Sequence, residues 1–194
     1  MEKNRLEAFS DGVIAIIITI MVLELKAPHE PTLAALRPLL PTLLSYVLSF
    51  VYVGIYWNNH HHLFHAVKQV SGMILWANLH LLFWLSLLPF VTSWMDDSHF
   101  APVAVAAYGA VLLLCAIAWG LLRMLLIREH ERESPLVTAL SRGTKEWVST
   151  ILYLVAIGLA FVSPWIACGL YALVAAAWFI PDRRIERAMA ARGE

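Results

Sequence analysis

Six long apolar stretches constrain the fold of this chain more than any other feature. They cover residues 9–25, 41–64, 70–94, 102–127, 147–162 and 164–180. An α-helix rises about 1.5 Å per residue, so about 20 residues cross the hydrocarbon of a bilayer. Backbone groups inside lipid must pair within the protein, which excludes open strands. The stretches therefore predict an all-α integral membrane protein with six transmembrane helices, organised as a single domain over residues 1–194.

The overall composition agrees with a lipid environment. Hydrophobic residues make up 60% of the chain and charged residues only 14%, whereas soluble domains carry roughly 25% charged residues. The 14 basic and 14 acidic side chains cancel, so no overall field attracts nucleic acid. These proportions exclude a soluble cytosolic enzyme and a nucleic-acid-binding protein. They predict a multi-pass protein whose surroundings are membrane lipid.

The positions of the basic residues predict the orientation. Of the 14 lysines and arginines, 12 fall on the side of the two termini, and only Lys26 and Arg37 fall on the other side. Loops rich in basic residues stay in the cytoplasm. Both termini are therefore expected to be cytoplasmic, which agrees with an even number of crossings. Asp96, Asp97 and His99 then lie in an external loop.

The first apolar stretch is the least suited to contact lipid. Its uncharged part, residues 12–23, follows Asp11 and ends at Glu24. An acidic residue at membrane depth usually faces protein or water. At about 100° per residue, Asp11 lies on a face with Ile18 and Val22. We expect its carboxylate to point into the helix bundle.

An apolar stripe runs along another face of the same stretch. Ile16, Ile20 and Leu23 fall on it, with Thr19 at its margin, because residues three and four apart share one face of a helix. Two interpretations are open from this pattern. Either the stripe packs against another helix, or it forms an apolar constriction.

Histidines cluster at the end of the second stretch, in Tyr-Trp-Asn-Asn-His-His-His-Leu-Phe-His at residues 56–65. Imidazole binds zinc, iron or copper, so a His-rich membrane metalloprotein that uses His60, His61 and His65 is an alternative. Consecutive residues of a helix point about 100° apart, so three adjacent histidines cannot bind one ion together. We therefore predict no metal site, and we expect some of these histidines to hydrogen-bond buried groups, Asp11 among them.

The third stretch contains two residues that depend on their surroundings. Asn78 lies inside an apolar run and needs a hydrogen-bond partner, for which a neighbouring helix is the natural source. Pro89 removes a backbone donor and permits a kink. A secondary transporter is a further alternative, but the interrupted helices and internal repeats typical of that class are not evident in the sequence.

Sequence patterns of catalytic sites are missing. The chain has no Gly-x-Ser-x-Gly elbow and neither of the common Gly-rich nucleotide-binding loops. We therefore predict neither an enzyme activity nor a cofactor. The Thr-Val-Gly-Tyr-Gly sequence is also missing, which excludes an ordinary carbonyl-lined potassium filter.

Three motifs, in this order, resemble those of a known channel family. Residues 5–12 read Arg-Leu-Glu-Ala-Phe-Ser-Asp-Gly, residues 56–64 contain Tyr-Trp-x-x-His-His-x-Leu-Phe, and a third segment runs from Asn78 to Pro89-Phe90. The set resembles the lysosomal potassium channel family called transmembrane protein 175, with its prokaryotic relatives. The resemblance extends over residues 5 to about 95, and the remaining helices carry no motif.

The resemblance implies a potassium-permeable cation channel, built as a homotetramer in a prokaryotic cell membrane. Four first helices would surround a central pore for potassium ions. In that family, side chains of this helix form the filter or gate. The resemblance thus implies a constriction at Ile16, a filter position at Thr19 and further pore-lining positions at Ile20 and Leu23.

The resemblance also implies a set of structural residues. The Arg-x-x-x-Phe-Ser-Asp motif of the family ties the first helix to its neighbours through buried polar contacts. This role falls on Arg5, Phe9, Ser10 and Asp11. The polar network that would receive them consists of Trp57, His60, His61 and Asn78.

Overall fold

The computed structural model describes residues 3–28, 30–65, 70–129 and 144–179. These residues form seven α-helices, which in chain order are α1 (Lys3–Leu23), α2 (Leu40–His65), α3 (Gly72–Ser86), α4 (Leu88–Asp97), α5 (Pro102–Glu129), α6 (Thr144–Ala160) and α7 (Pro164–Phe179). A short 3-10 helix, Leu33–Leu39, precedes α2. No β-strand occurs in the described ranges, and the all-α prediction is confirmed.

Four helical stretches are long and apolar enough to cross a membrane. Among the described residues they cover 3–23, 33–64, 72–97 and 102–129, and they match the first four predicted spans. The helices α6 and α7 have 17 and 16 residues, somewhat fewer than the about 20 that span the hydrocarbon. Six crossings therefore stay a prediction. Ile180, the predicted end of the last span, lies outside the described residues.

Proline lies at or near the start of several helices. Pro102 and Pro164 start α5 and α7, where the missing backbone N–H is not needed. Pro89 lies in the first turn of α4, and the third span is divided into α3 and α4 at Leu87. The sequence did not suggest an interrupted span. Leu87 nevertheless keeps a helical backbone (φ −86°, ψ −11°), so the span is not unwound there, unlike the discontinuous helices of transporters.

The core forms around α5, which packs against α3, α4, α6 and α7. Small side chains let the helices of a membrane protein approach each other closely. Gly109 makes the tightest of these contacts. A Cβ atom at this position would overlap the hydroxyl of Tyr171 and lie 2.9 Å from Cγ1 of Ile157. The packing of α5 against α6 and α7 therefore depends on a glycine here.

Buried hydroxyl groups hold α2 to this core. The hydroxyl of Ser49 bonds those of Thr92 (2.8 Å) and Tyr108 (3.0 Å). Tyr52 donates to the backbone carbonyl of Tyr171 at 2.6 Å. Hydrogen bonds between helices contribute about 0.6 kcal/mol each on average in a membrane protein. Together these bonds connect α2 to α4, α5 and α7.

Candidate pore helix and its polar anchor

The helix α1 lies against α2, α3 and α4 and packs through one face. That face consists of five buried residues, Leu6, Ser10, Ile14, Ile17 and Met21. Their spacing of three and four residues places them on one stripe of the helix. The opposite face of α1 is consequently left uncovered within the described part of the chain.

The four predicted pore residues lie on this uncovered face. Ile16 is 58% exposed, Ile20 43% and Leu23 79%, and Thr19 is exposed beside them. A contiguous apolar face of this kind normally contacts lipid, another chain or a channel interior. Within the described residues, the stripe of Ile16, Ile20 and Leu23 is therefore not buried against another helix. The role of these side chains in a pore stays a prediction.

A groove of about 540 Å³ runs along the exposed face of α1. Ile16 and Ile20 form one wall, and Pro89, at the junction between α3 and α4, lies on the other. At the predicted external end the groove reaches Glu24, which accepts a hydrogen bond from Ser93 at 3.0 Å. The apolar stripe of α1 therefore ends beside the carboxylate of Glu24.

The hydroxyl of Thr19 is oriented by the backbone of its own helix. It donates to the carbonyl of Ile16 at 2.9 Å, a bond that serine and threonine often make inside helices. The proton is therefore used within the helix, and the lone pairs of the hydroxyl oxygen remain available. A hydroxyl oxygen held in this way is able to coordinate a partly dehydrated cation.

A buried chain of hydrogen bonds anchors α1 to α2 and α3. Nε2 of His60 lies 2.8 Å from Oδ1 of Asn78, and the amide of Asn78 donates to the hydroxyl of Ser10 at 2.9 Å. Ser10 in turn donates to the carbonyl of Leu6 at 2.9 Å. Because an amide oxygen only accepts, the proton of the His60 imidazole is assigned to Nε2. The predicted need of Asn78 for neighbours on other helices is confirmed.

Asp11 lies outside this chain of hydrogen bonds. It is exposed, and its carboxylate accepts from the indole of Trp57 at 3.0 Å. The expectation that this acid points into the bundle is wrong for the described part of the chain, where its bonded partner is Trp57 and not His60, which bonds Asn78. One residue after Ser10, the helix has turned by about 100°, which carries the side chain away from the buried face.

The remaining motif residues, Arg5 and Phe9, reach no buried polar group among the described residues. Phe9 is 51% exposed. Arg5 is also exposed and makes no hydrogen bond or ion pair to a described residue. Of the four motif residues, Ser10 alone makes the implied buried contact to another described residue. A structural role for Arg5 and Phe9 stays a prediction.

His61 lies beside Trp57. The two rings stack with their centroids 6.4 Å apart. Among the described residues, no group of three or more histidine, cysteine, aspartate or glutamate side chains is placed to hold a metal ion. The side chain of His65 lies outside the described part, so the complete histidine cluster is not tested.

A second polar contact between helices was not predicted from the sequence. Ser45 on α2 donates to Asp96 at 2.6 Å, near the predicted external end, where Asp96 is about half-buried. Asp96 also lines a cavity of about 400 Å³ between α1, α2 and α4, to which Glu24 contributes a second carboxylate. A signal was present in the sequence: Ser45, Ser49 and Tyr52 follow the spacing of one helical face.

The comparisons with known proteins agree with these motifs. The family model described as "Endosomal/lysosomal potassium channel TMEM175" matches residues 5–89. A potassium channel of a Chryseobacterium strain is 57% identical over 189 residues, which cover 97% of this chain and 98% of the relative. The chain belongs to the TMEM175 family. A potassium channel of Streptomyces collinus is 33% identical over 185 residues, which cover 90% of this chain and 90% of the relative.

A solved structure extends the similarity to the fold. The crystal structure of a lysosomal potassium-selective channel TMEM175 homolog from Chamaesiphon minutus superposes with a TM-score of 0.79. It is 30% identical and covers 92% of this chain and 96% of that chain. The resemblance seen in the three motifs is confirmed. TMEM175 proteins form an ion-channel family, which is not an enzyme class.

Proposed function

We propose that this chain forms a potassium-permeable cation channel in which α1 of each of four subunits lines a central pore. Each subunit would be a single domain over residues 1–194, with six crossings and both termini in the cytoplasm. The observation that carries the proposal is the uncovered apolar face of α1, with Ile16 58% exposed. Membership of the TMEM175 family and the potassium-channel names of its relatives support the same function.

The constriction in this proposal is a ring of Ile16 side chains. An apolar ring that excludes bulk water opposes an ion through dewetting and the loss of its hydration shell. The β-branched side chain of isoleucine has few rotamers in a helix, so the width of the ring is set by the position of α1. A small shift or rotation of α1 would open or close the pore.

Selectivity is assigned to the next ring, formed by Thr19. Four hydroxyl oxygens at this level would replace part of the hydration shell of a cation. Potassium loses its water at a lower cost than sodium, so a partial shell favours potassium. Ile20 and Leu23 continue the apolar lining towards Glu24, whose carboxylate would raise the cation concentration at the external mouth.

The buried anchor supports this arrangement from the other side of α1. The bonds from Asn78 to Ser10 and to His60 fix the rotation of α1 against α2 and α3. Rotation decides which side chains would face the pore, because neighbouring residues point about 100° apart. The anchor therefore acts on permeation by positioning and makes no contact with the ion.

The surroundings of the channel would be the lipid of a prokaryotic cell membrane. Tryptophan is enriched where the hydrocarbon meets the headgroups. Trp147 and Trp57 are exposed towards the predicted cytoplasmic end, and Trp94 and Trp165 towards the predicted external end. These four side chains support a membrane position in which the apolar helices lie between them. Potassium is the permeant ion in this proposal, and no cofactor takes part.

Ion flux through the purified protein tests the function. Ile16→Asn should wet the constriction and raise potassium efflux from liposomes. Val22→Asn is the matched control, since Val22 is 45% exposed on another face of the same helix. An unchanged flux in Ile16→Asn, or an equal rise in both variants, would remove the pore assignment. Native mass spectrometry of the same preparations tests for four subunits.

A further inference from the structure

A second, smaller cavity lies inside the subunit, away from the exposed face of α1. It is situated between α2, α5, α6 and α7 and has a volume of about 30 Å³. Its lining includes aromatic and polar side chains, among them Tyr56, Asn59, Trp119, Glu146, Ser149 and Trp178. None of these residues takes part in the proposed pore or in the anchor of α1.

Tyr56 contributes a hydroxyl group to the lining of this cavity. It is only 9% exposed, and its ring packs edge-on against Trp119 with the centroids 6.2 Å apart. Its hydroxyl makes no hydrogen bond to a described residue, whereas the neighbouring Tyr153 donates to Tyr52 at 3.3 Å. Buried hydroxyls are nearly always paired, with protein or with ordered water.

Glu146 brings a carboxylate to the same cavity from α6. One of its oxygens lies 3.1 Å from Nη1 of Arg123, and the two side chains are only 18% and 17% exposed. An ionised carboxylate has about four acceptor sites, so this ion pair leaves acceptors unused. Asn59 adds another acceptor. Its amide nitrogen donates to the carbonyl of Ile55 at 2.9 Å, and its amide oxygen accepts no hydrogen bond from a described residue.

The volume of the cavity decides which ligand fits. A single water needs about 10–15 Å³ of such space, whereas a cavity that binds benzene measures about 150 Å³. The 30 Å³ found here accommodates one or two waters and no organic molecule. A metal cation is disfavoured, because the charge of Glu146 is already balanced by Arg123.

We propose that this cavity is a binding site for one or two ordered water molecules, which bridge the hydroxyl of Tyr56 to the carboxylate of Glu146. The water accepts a hydrogen bond from the hydroxyl of Tyr56 and donates one to the carboxylate of Glu146, with the amide oxygen of Asn59 as a further acceptor. A buried water typically makes about three hydrogen bonds, and this site supplies them. The bridge connects α2 to α6 and, through Arg123, to α5.

Radiolytic labelling of the full-length channel in lipid nanodiscs tests the proposal. X-ray pulses turn bound water into hydroxyl radicals, which modify the side chain beside it. Tyr56 is expected to be modified several-fold faster than Tyr108, a fully buried tyrosine whose hydroxyl is bonded to Ser49 at 3.0 Å. Equal modification rates for the two tyrosines overturn the proposal.

A cavity-filling variant distinguishes bound water from bulk solvent. Ala116 lines the cavity, and Ala116→Leu would displace the water without removing a polar group. Labelling of Tyr56 is then expected to fall to the rate of Tyr108. If fast labelling persists in a variant that unfolds at the normal temperature, Tyr56 meets bulk solvent and the water site is rejected. Should Ala116→Leu not fold, the smaller Ala116→Val provides the same comparison. The readout is independent of potassium flux.

Discussion

Asn78 is the central residue of the buried anchor, and its removal gives the sharpest test of that feature. The side chain is fully buried and joins His60 at 2.8 Å to Ser10 at 2.9 Å. Asn78→Leu keeps a helix-forming side chain of similar length but removes both bonds between helices. The variant also leaves the Nε2–H of His60 without an acceptor.

The expected loss of stability has three contributions, namely two lost hydrogen bonds and one buried donor left without an acceptor. A hydrogen bond between helices contributes about 0.6 kcal/mol on average and about 1.7 at most. A buried donor without an acceptor costs about 1–3 kcal/mol. We therefore expect Asn78→Leu to lower the free energy of unfolding by about 2–4 kcal/mol.

Unfolding in mixed micelles with increasing dodecyl sulfate, followed by circular dichroism, measures this change. Asn58→Leu is the matched control, because Asn58 is an exposed asparagine, and surface substitutions usually stay within about 0.5 kcal/mol. Wild-type stability in Asn78→Leu would refute the reasoning about the anchor.

A double variant makes the test stricter. The bond of Ser10 across helices goes to Asn78, while its other bond stays within α1. Ser10→Ala added to Asn78→Leu should therefore cost little more, within about 0.5 kcal/mol. Fully additive losses would show that the two residues act independently and would contradict the chain of hydrogen bonds.

Three further substitutions have definite expected outcomes. Thr19→Ala should lower the potassium-to-sodium permeability ratio, measured as a bi-ionic reversal potential, without changing the mass of the assembled particle. Gly109→Ala should cost about 1–3 kcal/mol in the same micelle assay, because the added methyl overlaps Tyr171. Asp11→Ala should cost less than about 1 kcal/mol, since its bond to Trp57 is exposed; a larger loss would indicate that this contact is buried in the assembly.

Helical periodicity predicted correctly which residues of α1 share a face. It did not predict which of these faces points towards the rest of the bundle. Ile16, Ile20 and Leu23 share one face in the structure, as their spacing predicts. The same geometry placed Asp11 on a different face but not on a particular side of the bundle. Which face turns inwards depends on the neighbouring helices. In α1 the direction is set by Ser10, whose contact with Asn78 comes from a distant part of the sequence.

The polar interior of α2 was harder to predict from sequence. Serine in an apolar run is ambiguous, because its hydroxyl is able to bond the carbonyl of its own helix and then face lipid. Ser45 illustrates this, since its hydroxyl oxygen lies 2.8 Å from the carbonyl oxygen of Thr42 and 2.6 Å from Oδ1 of Asp96, and its single proton is available to either acceptor. Only the position of α4 reveals the second bond, and the same holds for Ser49, which meets Thr92.

The division of α1 into two faces has a consequence for how such channels diversify. The side chains that hold this helix in place, such as Ile14 and Ile17, are buried, whereas Ile16 and Ile20 are free of the subunit interior. Substitutions at the exposed positions leave the folding contacts intact. In the proposed pore, these side chains form a set that protein engineering or natural selection is free to exchange without rebuilding the scaffold.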